Sequence, residues 1–269
     1  MQDLIRIAVP GAAGRMGKTL IETIQASDDL TVGAALEHNE HPLLGADAGE
    51  VAGVGAIGVP LTKAEDISSS FDIAVDFTVP QATLALAERC RAGGQGLVVG
   101  TTGFTPEELA QLEGYAEHIP LFMAPNMSLG VNLVFKLIEI AARALGDTVD
   151  VEVLEAHHRH KIDAPSGTAV RMGEVLAEAL DRDLAKDAIY GRQGITGARE
   201  RETIGFSTMR GGDIVGEHTV MFAGEGERIE ITHRAHSRAN FAQGALTAAR
   251  FIHSQPPGLY DMPTLLGLN

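Results

Sequence analysis

A chain of 269 residues, 45% of them hydrophobic, has enough apolar mass for one large domain or two modest ones. Its formal net charge of −15 argues against a nucleic-acid partner, which needs basic residues spread over a face. A single cysteine, Cys90, excludes an intramolecular disulfide, and without a signal-peptide pattern the chain is expected in the cytoplasm.

The first predicted element is a strand at residues 4–9. It is followed by Gly11-Ala12-Ala13-Gly14-Arg15-Met16-Gly17 and a helical pattern over 19–25. Strand, glycine turn and helix is the setting of a dinucleotide fingerprint. The spacing is GxxGxxG rather than GxGxxG, so a turn that serves only tight strand–helix packing is the competing reading. A second strand, 30–36, delivers Glu37 twenty residues beyond Gly17, where an acidic group meets the ribose hydroxyls of adenosine. The glycine-rich stretch 45–58 carries Asp47 and Glu50 and no Lys-Ser/Thr pair, so it reads as a mobile connection, not a phosphate loop.

Strands at 71–77, 97–99 and 121–124 alternate with helices at 81–91 and 107–116, which predicts a buried parallel sheet. Ligands of such sheets lie beyond the strand carboxyl ends. There the chain offers Phe77-Thr78, Gly100-Thr101-Thr102-Gly103 and Ala124-Pro125-Asn126-Met127. Each is a plain turn taken alone; with the first glycine turn, they make a pocket edge suited to a nicotinamide riboside. The apolar helix 131–145 is interrupted by Lys136, Glu139 and Arg143, so no membrane span is expected.

Residues 149–155 alternate Val with acidic residues and predict a strand with one buried face. The run His157-His158-Arg159-His160-Lys161 follows, five cationic or protonatable side chains in an acidic chain. Such a run can hold a small anion and exchange protons with it. His157 and Lys161, four apart, fall on one side of either an extended or a helical backbone. Pro165 and Ser166 open a helix over 168–180, whose first amides, on Ser166, Gly167 and Thr168, form a site for a carboxylated substrate. Three other readings stand beside this one: ordinary half-buried histidines, a metal pair at His157 and His160, or a solvated basic loop. With Cys90 far away and no HExxH or CxxC spacing, no metal is expected.

Beyond a polar stretch at 181–202, extended segments at 204–209, 217–223 and 228–233 are separated by glycine-rich turns that suggest antiparallel pairing. With 149–155 they make a small mixed sheet. A helix at 239–253 is expected to return to the first domain, ahead of an apolar tail at 262–268. The predicted domains are 1–127 with 238–269, for the dinucleotide, and 128–237, for substrate and oligomerisation. Chain crossings near Ser128 and Ser237 would serve as hinges.

The run from Glu155 to Lys161 with Asp163-Ala-Pro-Ser-Gly-Thr168 resembles the signature of the 4-hydroxy-tetrahydrodipicolinate reductase (dihydrodipicolinate reductase) family. Similar matches lie at Gly11 to Gly17, Asp76 to Thr78, Gly100 to Gly103, Asn126, Gly130 to Asn132 and Gly212 to His218. The resemblance implies an α/β protein with a Rossmann-type parallel-sheet domain and an α+β domain with a mixed sheet, commonly assembled as a homotetramer. It implies reduction of 4-hydroxy-tetrahydrodipicolinate with NAD(P)H and loss of water, on the diaminopimelate route to lysine. His157 would be the acid or base and Lys161 a second proton donor, with His158, Gly167 and Thr168 on the substrate carboxylates. Gly11, Ala12, Ala13, Gly14, Arg15, Met16, Glu37, Gly100, Thr101, Thr102, Ala124, Pro125, Asn126 and Met127 would line the cofactor, with His38 beside them.

Two positions depart from the family pattern: His38 stands where many members carry an arginine able to meet a 2′-phosphate, and Val79 where some carry arginine. With Arg15 and Lys18 still near, the expectation is use of both NADH and NADPH with a tilt toward NADH. The competing functions are a dehydrogenase of another small amino-dicarboxylate and a dinucleotide sensor without chemistry.

Overall fold

The computed structural model describes residues 4–66 and 70–268. The chain runs β1 (Ile5–Pro10), α1 (Arg15–Gln25), β2 (Leu30–Glu37), α2 (Ala48–Ala52), β3 (Leu61–Lys63), β4 (Ile73–Asp76) and α3 (Pro80–Gly93). It continues β5 (Gly96–Val99), α4 (Pro106–Gly114), β6 (Pro120–Met123), α5 (Leu129–Leu145), β7 (Asp150–His157), α6 (Gly167–Ala179), α7 (Leu184–Asp187) and β8 (Ala188–Tyr190). It ends β9 (Ile204–Arg210), β10 (Gly216–Ala223), β11 (Arg228–Ala235), α8 (Ala239–Ile252), β12 (Gly258–Tyr260) and α9 (Met262–Leu266). Two compact units result, one of residues 1–129 with 238–269 and one of residues 130–237.

The first unit is a seven-stranded parallel sheet in the order β12-β6-β5-β4-β1-β2-β3. Its central strands are apolar on both faces because both are covered. On one face Ile7, Val9, Ile73 and Val75 pack with Leu20, Ile21 and Ile24 of α1 and the alanine-rich side of α8. On the other, Ala8, Ala74, Leu97 and Val99 meet Leu86, Ala87 and Cys90 of α3 and Leu112 of α4. Each fully buried Ile or Leu here contributes about 1.5–3 kcal/mol of transfer free energy. Small residues in α8 permit close approach: a Cβ on Gly244 would overlap the Met127 carbonyl.

The second unit is a five-stranded mixed sheet, β11-β10-β7-β9-β8, with α5 and α6 on one face. Val151, Val153, Ile204, Phe206, Val220 and Phe222 face those helices. α6 starts where the Ser166 hydroxyl accepts from the Ala169 amide at 3.2 Å. Among the described residues, no helix is long and apolar enough to cross a membrane.

The α/β class with one parallel and one mixed sheet is the one expected, but three details differ. The 45–58 segment, expected as a mobile connection, carries a hydrogen-bonded fold of its own. The Asp47 carboxylate accepts from the amides of Gly49, Glu50, Ile57 and Gly58 at 2.7–3.2 Å, which folds the stretch around α2. Second, β9 and β10 are not paired antiparallel neighbours. β7 lies between them, parallel to β9 and antiparallel to β10, while the expected antiparallel pairing does join β10 to β11. Third, the edge strands β3, β8 and β12 have three residues each, too short for a periodicity to register.

Candidate active site

The dinucleotide-type turn is built from the end of β1. Gly11 takes φ +63°, a left-handed conformation that side chains resist. The Ala12 amide donates to the Leu36 carbonyl at 3.1 Å and the Gly14 amide to the Gly11 carbonyl at 2.9 Å, so the turn is tied to β2. A Cβ on Gly17 would overlap the Gly11 carbonyl and the Ala12 backbone, so α1 lies against the turn only with glycine there. Gly14, Arg15 and Met16 open α1 with no side-chain cap and no acidic residue in the first turn. Its first amides and the helix dipole therefore favour an external anion.

Glu37 is 8% exposed and meets this turn: its carboxylate accepts from the Ala13 amide at 3.0 Å and the His38 amide at 3.3 Å. A largely apolar cavity of about 480 Å³ opens beside it, lined by Gly11, Glu37, His38, Thr78, Val79, Leu86 and Arg89 among others. Glycine turn, uncapped helix start, acidic strand end and apolar cavity fit the adenosine and phosphates of a dinucleotide.

The sheet edge continues through Asp76, which is fully buried. Burial raises its pKa above the usual carboxylate range, against bonds from Thr83 Oγ1 (2.5 Å) and the Thr78 amide (2.9 Å) and a longer one from Thr101 Oγ1 (3.4 Å). The Thr101 hydroxyl thus points inward. Gly100 packs on the Phe77 ring, which a Cβ would strike, and Thr102 is exposed. In the last loop Ala124 and Met127 are core side chains, Pro125 is exposed, and Asn126 Oδ1 accepts from the Ser128 amide at 2.9 Å. Ala124 and Met127 can therefore meet a ligand by backbone only.

One grouping among the described residues brings metal-ligand atoms together: Glu37, His38 and His41, all within 4.8 Å. There His41 Nδ1 accepts from the Leu43 amide at 3.2 Å, which withdraws that nitrogen from coordination.

In the second unit, strand register assembles the site. Alternation along β7 puts Val151, Val153, Glu155 and His157 on one face, so the apolar face of the sheet turns polar at its carboxyl end. Across the ladders His157 faces Arg210 of β9, and Glu155 faces His218 of β10. Glu155 is 2% exposed and accepts four bonds. They come from Arg210 Nη1 at 2.7 Å and Nη2 at 2.8 Å, the Ser166 amide at 3.0 Å, and His157 Nδ1 at 2.6 Å. Burial works to raise its pKa, but Arg210, His157 and Ser166 outweigh it and hold the carboxyl below its usual range. Burial pushes His157 below the ordinary histidine value, against the opposing pull of Glu155. His218 is pushed down to about 3, first by burial and then by His157.

Lys161 is half-buried and pairs with the exposed Asp163 at 2.9 Å. His158 is half-buried, with Nδ1 buried and unpartnered, and its amide bonds the Ile214 carbonyl at 2.8 Å. Gly167 is exposed at the first position of α6, with Thr168 half-buried next to it.

Ser166 corrects the sequence reading. Its amide is spent on Glu155, its hydroxyl lies 2.9 Å from His218 Nε2, and the residue is 2% exposed, so it offers no free N–H to an anion. The reason is the helix cap, which turns Ser166 inward. Glu155, Arg210 and His218 were not among the expected site residues. Two had a signal: Glu155 falls on the apolar phase of its strand, and His218 alternates in step with Val220 and Phe222.

Comparison with known proteins follows the same division. Residues 5–127 match the family model described as dihydrodipicolinate reductase, N-terminus, and residues 130–266 match that described as dihydrodipicolinate reductase, C-terminus. A 4-hydroxy-tetrahydrodipicolinate reductase from Saccharophagus degradans is 57% identical over 264 residues, 98% of each chain. Among solved structures, a dipicolinate-bound dihydrodipicolinate reductase from Paenisporosarcina sp. TG-14 has a TM-score of 0.74 at 24% identity, covering 96% of this chain and 97% of that one. A probable dehydrogenase from Thermotoga maritima has a TM-score of 0.60 at 11% identity, over 98% and 93% of the two chains, which speaks for the fold alone.

Proposed function

The chain belongs to the dihydrodipicolinate reductase family and is a 4-hydroxy-tetrahydrodipicolinate reductase of lysine biosynthesis using NAD(P)H, and on that premise we propose how its residues divide the work. The first unit is the dinucleotide-binding domain; the second binds the dicarboxylate and carries oligomerisation. His157 is the acid–base group and Lys161 the second proton donor. His158, the Gly167 amide and Thr168 hold the substrate carboxylates. One observation carries this reading: an imidazole pushed down by burial, the Lys161 ammonium and the exposed start of α6 occur together in one unit of an otherwise acidic chain.

The bound cofactor supplies a hydride. The reaction also consumes one proton and releases the substrate hydroxyl as water, so the chain must deliver protons at defined positions. The exposed Asp163 holds Lys161 until a substrate carboxylate competes for the ammonium. A dianion beside His157 raises its pKa, so the imidazole gains a proton as substrate binds.

Both nucleotides are used, with a tilt toward NADH. Glu37 supports this, because a buried carboxylate bonded only to backbone amides accepts from ribose hydroxyls and opposes a 2′-phosphate. His38 is exposed and a weaker phosphate partner than arginine. Specificity constants for both nucleotides, in the native protein and in His38→Arg, test the tilt. It should move toward NADPH in the variant. A strong NADPH preference in the native protein would show that Arg15 or Lys18 dominates.

The enzyme works in the cytoplasm as a homotetramer joined through the mixed sheet. Exposed Ile189 and Met209 on neighbouring strands of that sheet support the assembly, and sedimentation equilibrium checks it.

A further inference from the structure

We propose that Glu155 is the positioning residue of the acid–base site: gripped by the Arg210 guanidinium, its carboxylate holds His157 by Nδ1 and the start of α6 by the Ser166 amide. One group thereby sets both the nitrogen that moves protons and the amides beside which a substrate carboxylate binds. The inference rests on the role of His157 proposed above.

An ionised carboxylate accepts hydrogen bonds and donates none. Glu155 is kept ionised by the two-pronged contact from Arg210 at 2.7 and 2.8 Å and by the Ser166 amide at 3.0 Å. His157 Nδ1, 2.6 Å from Glu155 Oε2, must therefore be the donor, and in the neutral ring Nε2 is the nitrogen without a proton. Room at Nε2 is kept by Gly216 of β10, where a Cβ would stand 3.0 Å from that atom. The other groups facing His157 are Lys161 from its own turn, Arg210 from β9 and His218 from β10, whose ring centroid lies 5.0 Å away. His218 stays neutral down to about pH 3 and bonds the Ser166 hydroxyl, so it adds no charge to the site near neutrality. Arg210 also donates to the Asp163 carbonyl at 2.6 Å, which fixes the far end of the loop that carries Lys161.

The tests are a tautomer measurement on the native enzyme and the substitution Glu155→Gln, which keeps the shape and removes the charge. Nitrogen-15 NMR of His157 should show a neutral ring protonated at Nδ1. A ring protonated mainly at Nε2 overturns the proposal, and this arm does not depend on a variant that folds. In Glu155→Gln, kcat should fall about 100-fold, the usual scale for losing the partner that orients a working histidine. The dicarboxylate KM should change far less, because the side-chain carbonyl oxygen that the substitution leaves in place can still accept from the Ser166 amide, and nucleotide affinity not at all. The His157 limb of the pH profile should move to lower pH, since the group that raises its pKa is gone. A purely structural role would lower the melting temperature and leave that limb in place. Normal kcat and an unmoved limb, with His157→Ala inactive, would refute Glu155 alone. Normal turnover in His157→Ala would instead remove the reading on which the inference rests.

Discussion

Glu37, at the end of β2, and Glu155, two residues before the end of β7, are both buried carboxylates that accept a backbone amide from a neighbouring turn. Their remaining surroundings differ. Glu37 bonds only backbone amides and borders a cavity of about 480 Å³, whereas Glu155 is enclosed by an arginine fork, an imidazole and a helix cap. A buried charge left with spare acceptor capacity at a cavity is a ligand-recognition group. A charge saturated by protein donors can act only through the side chains it holds. The same residue type at the same kind of position thus serves binding in one unit and orientation in the other.

The sharpest way to break this comparison is at the groups the second carboxylate serves. His157→Ala and Lys161→Ala should each lower turnover by about two orders of magnitude or more, with nucleotide affinity unchanged in calorimetry. Near-normal turnover in either variant would remove that residue from proton transfer. Glu37→Gln tests the opposite half. NADH affinity should fall about tenfold, the scale of one charge-assisted bond, while NADPH loses less and dicarboxylate binding holds. An equal loss for both nucleotides would mean that Glu37 only braces the glycine turn through Ala13.

Ser166→Ala gives the smallest effect. Removing the cap should cost about 1 kcal/mol of stability by denaturant unfolding, with little change in dicarboxylate KM. A large rise in KM with unchanged stability would restore Ser166 as a direct ligand. Its neighbour His218 predicts a pH dependence of the same unit. With a folded pKa near 3 against an ordinary 6.5, the neutral ring contributes stability that is complete above 6.5 and is lost as pH falls toward 3. The melting temperature should decline across that window, and less so in His218→Gln.

Local pattern carried much of this molecule. Leu4 to Gln25 reads as strand, turn and helix because glycine φ angles and a 3.6-residue apolar period are properties of the local chain. The positions of His157, Lys161 and the start of α6 within one short stretch were equally legible. Less was legible where a carboxylate reaches across sequence: Asp47 closes its loop through amides ten and eleven residues away, contacts that no local composition encodes.

By itself the sequence determined the alternating βα order, the acidic strand end at Glu37 and the protonatable run from His157 to Lys161, all set by neighbours in the chain. Only the tertiary structure decided that β7 enters between β9 and β10. That insertion brings Arg210 and His218, 55 residues beyond Glu155 and 52 beyond Ser166, onto the face that holds His157. Strand order and register follow from which apolar faces bury together over long separations, and no local periodicity encodes that choice. The same packing turned Ser166 inward, where its hydroxyl caps α6 and its amide is satisfied by Glu155.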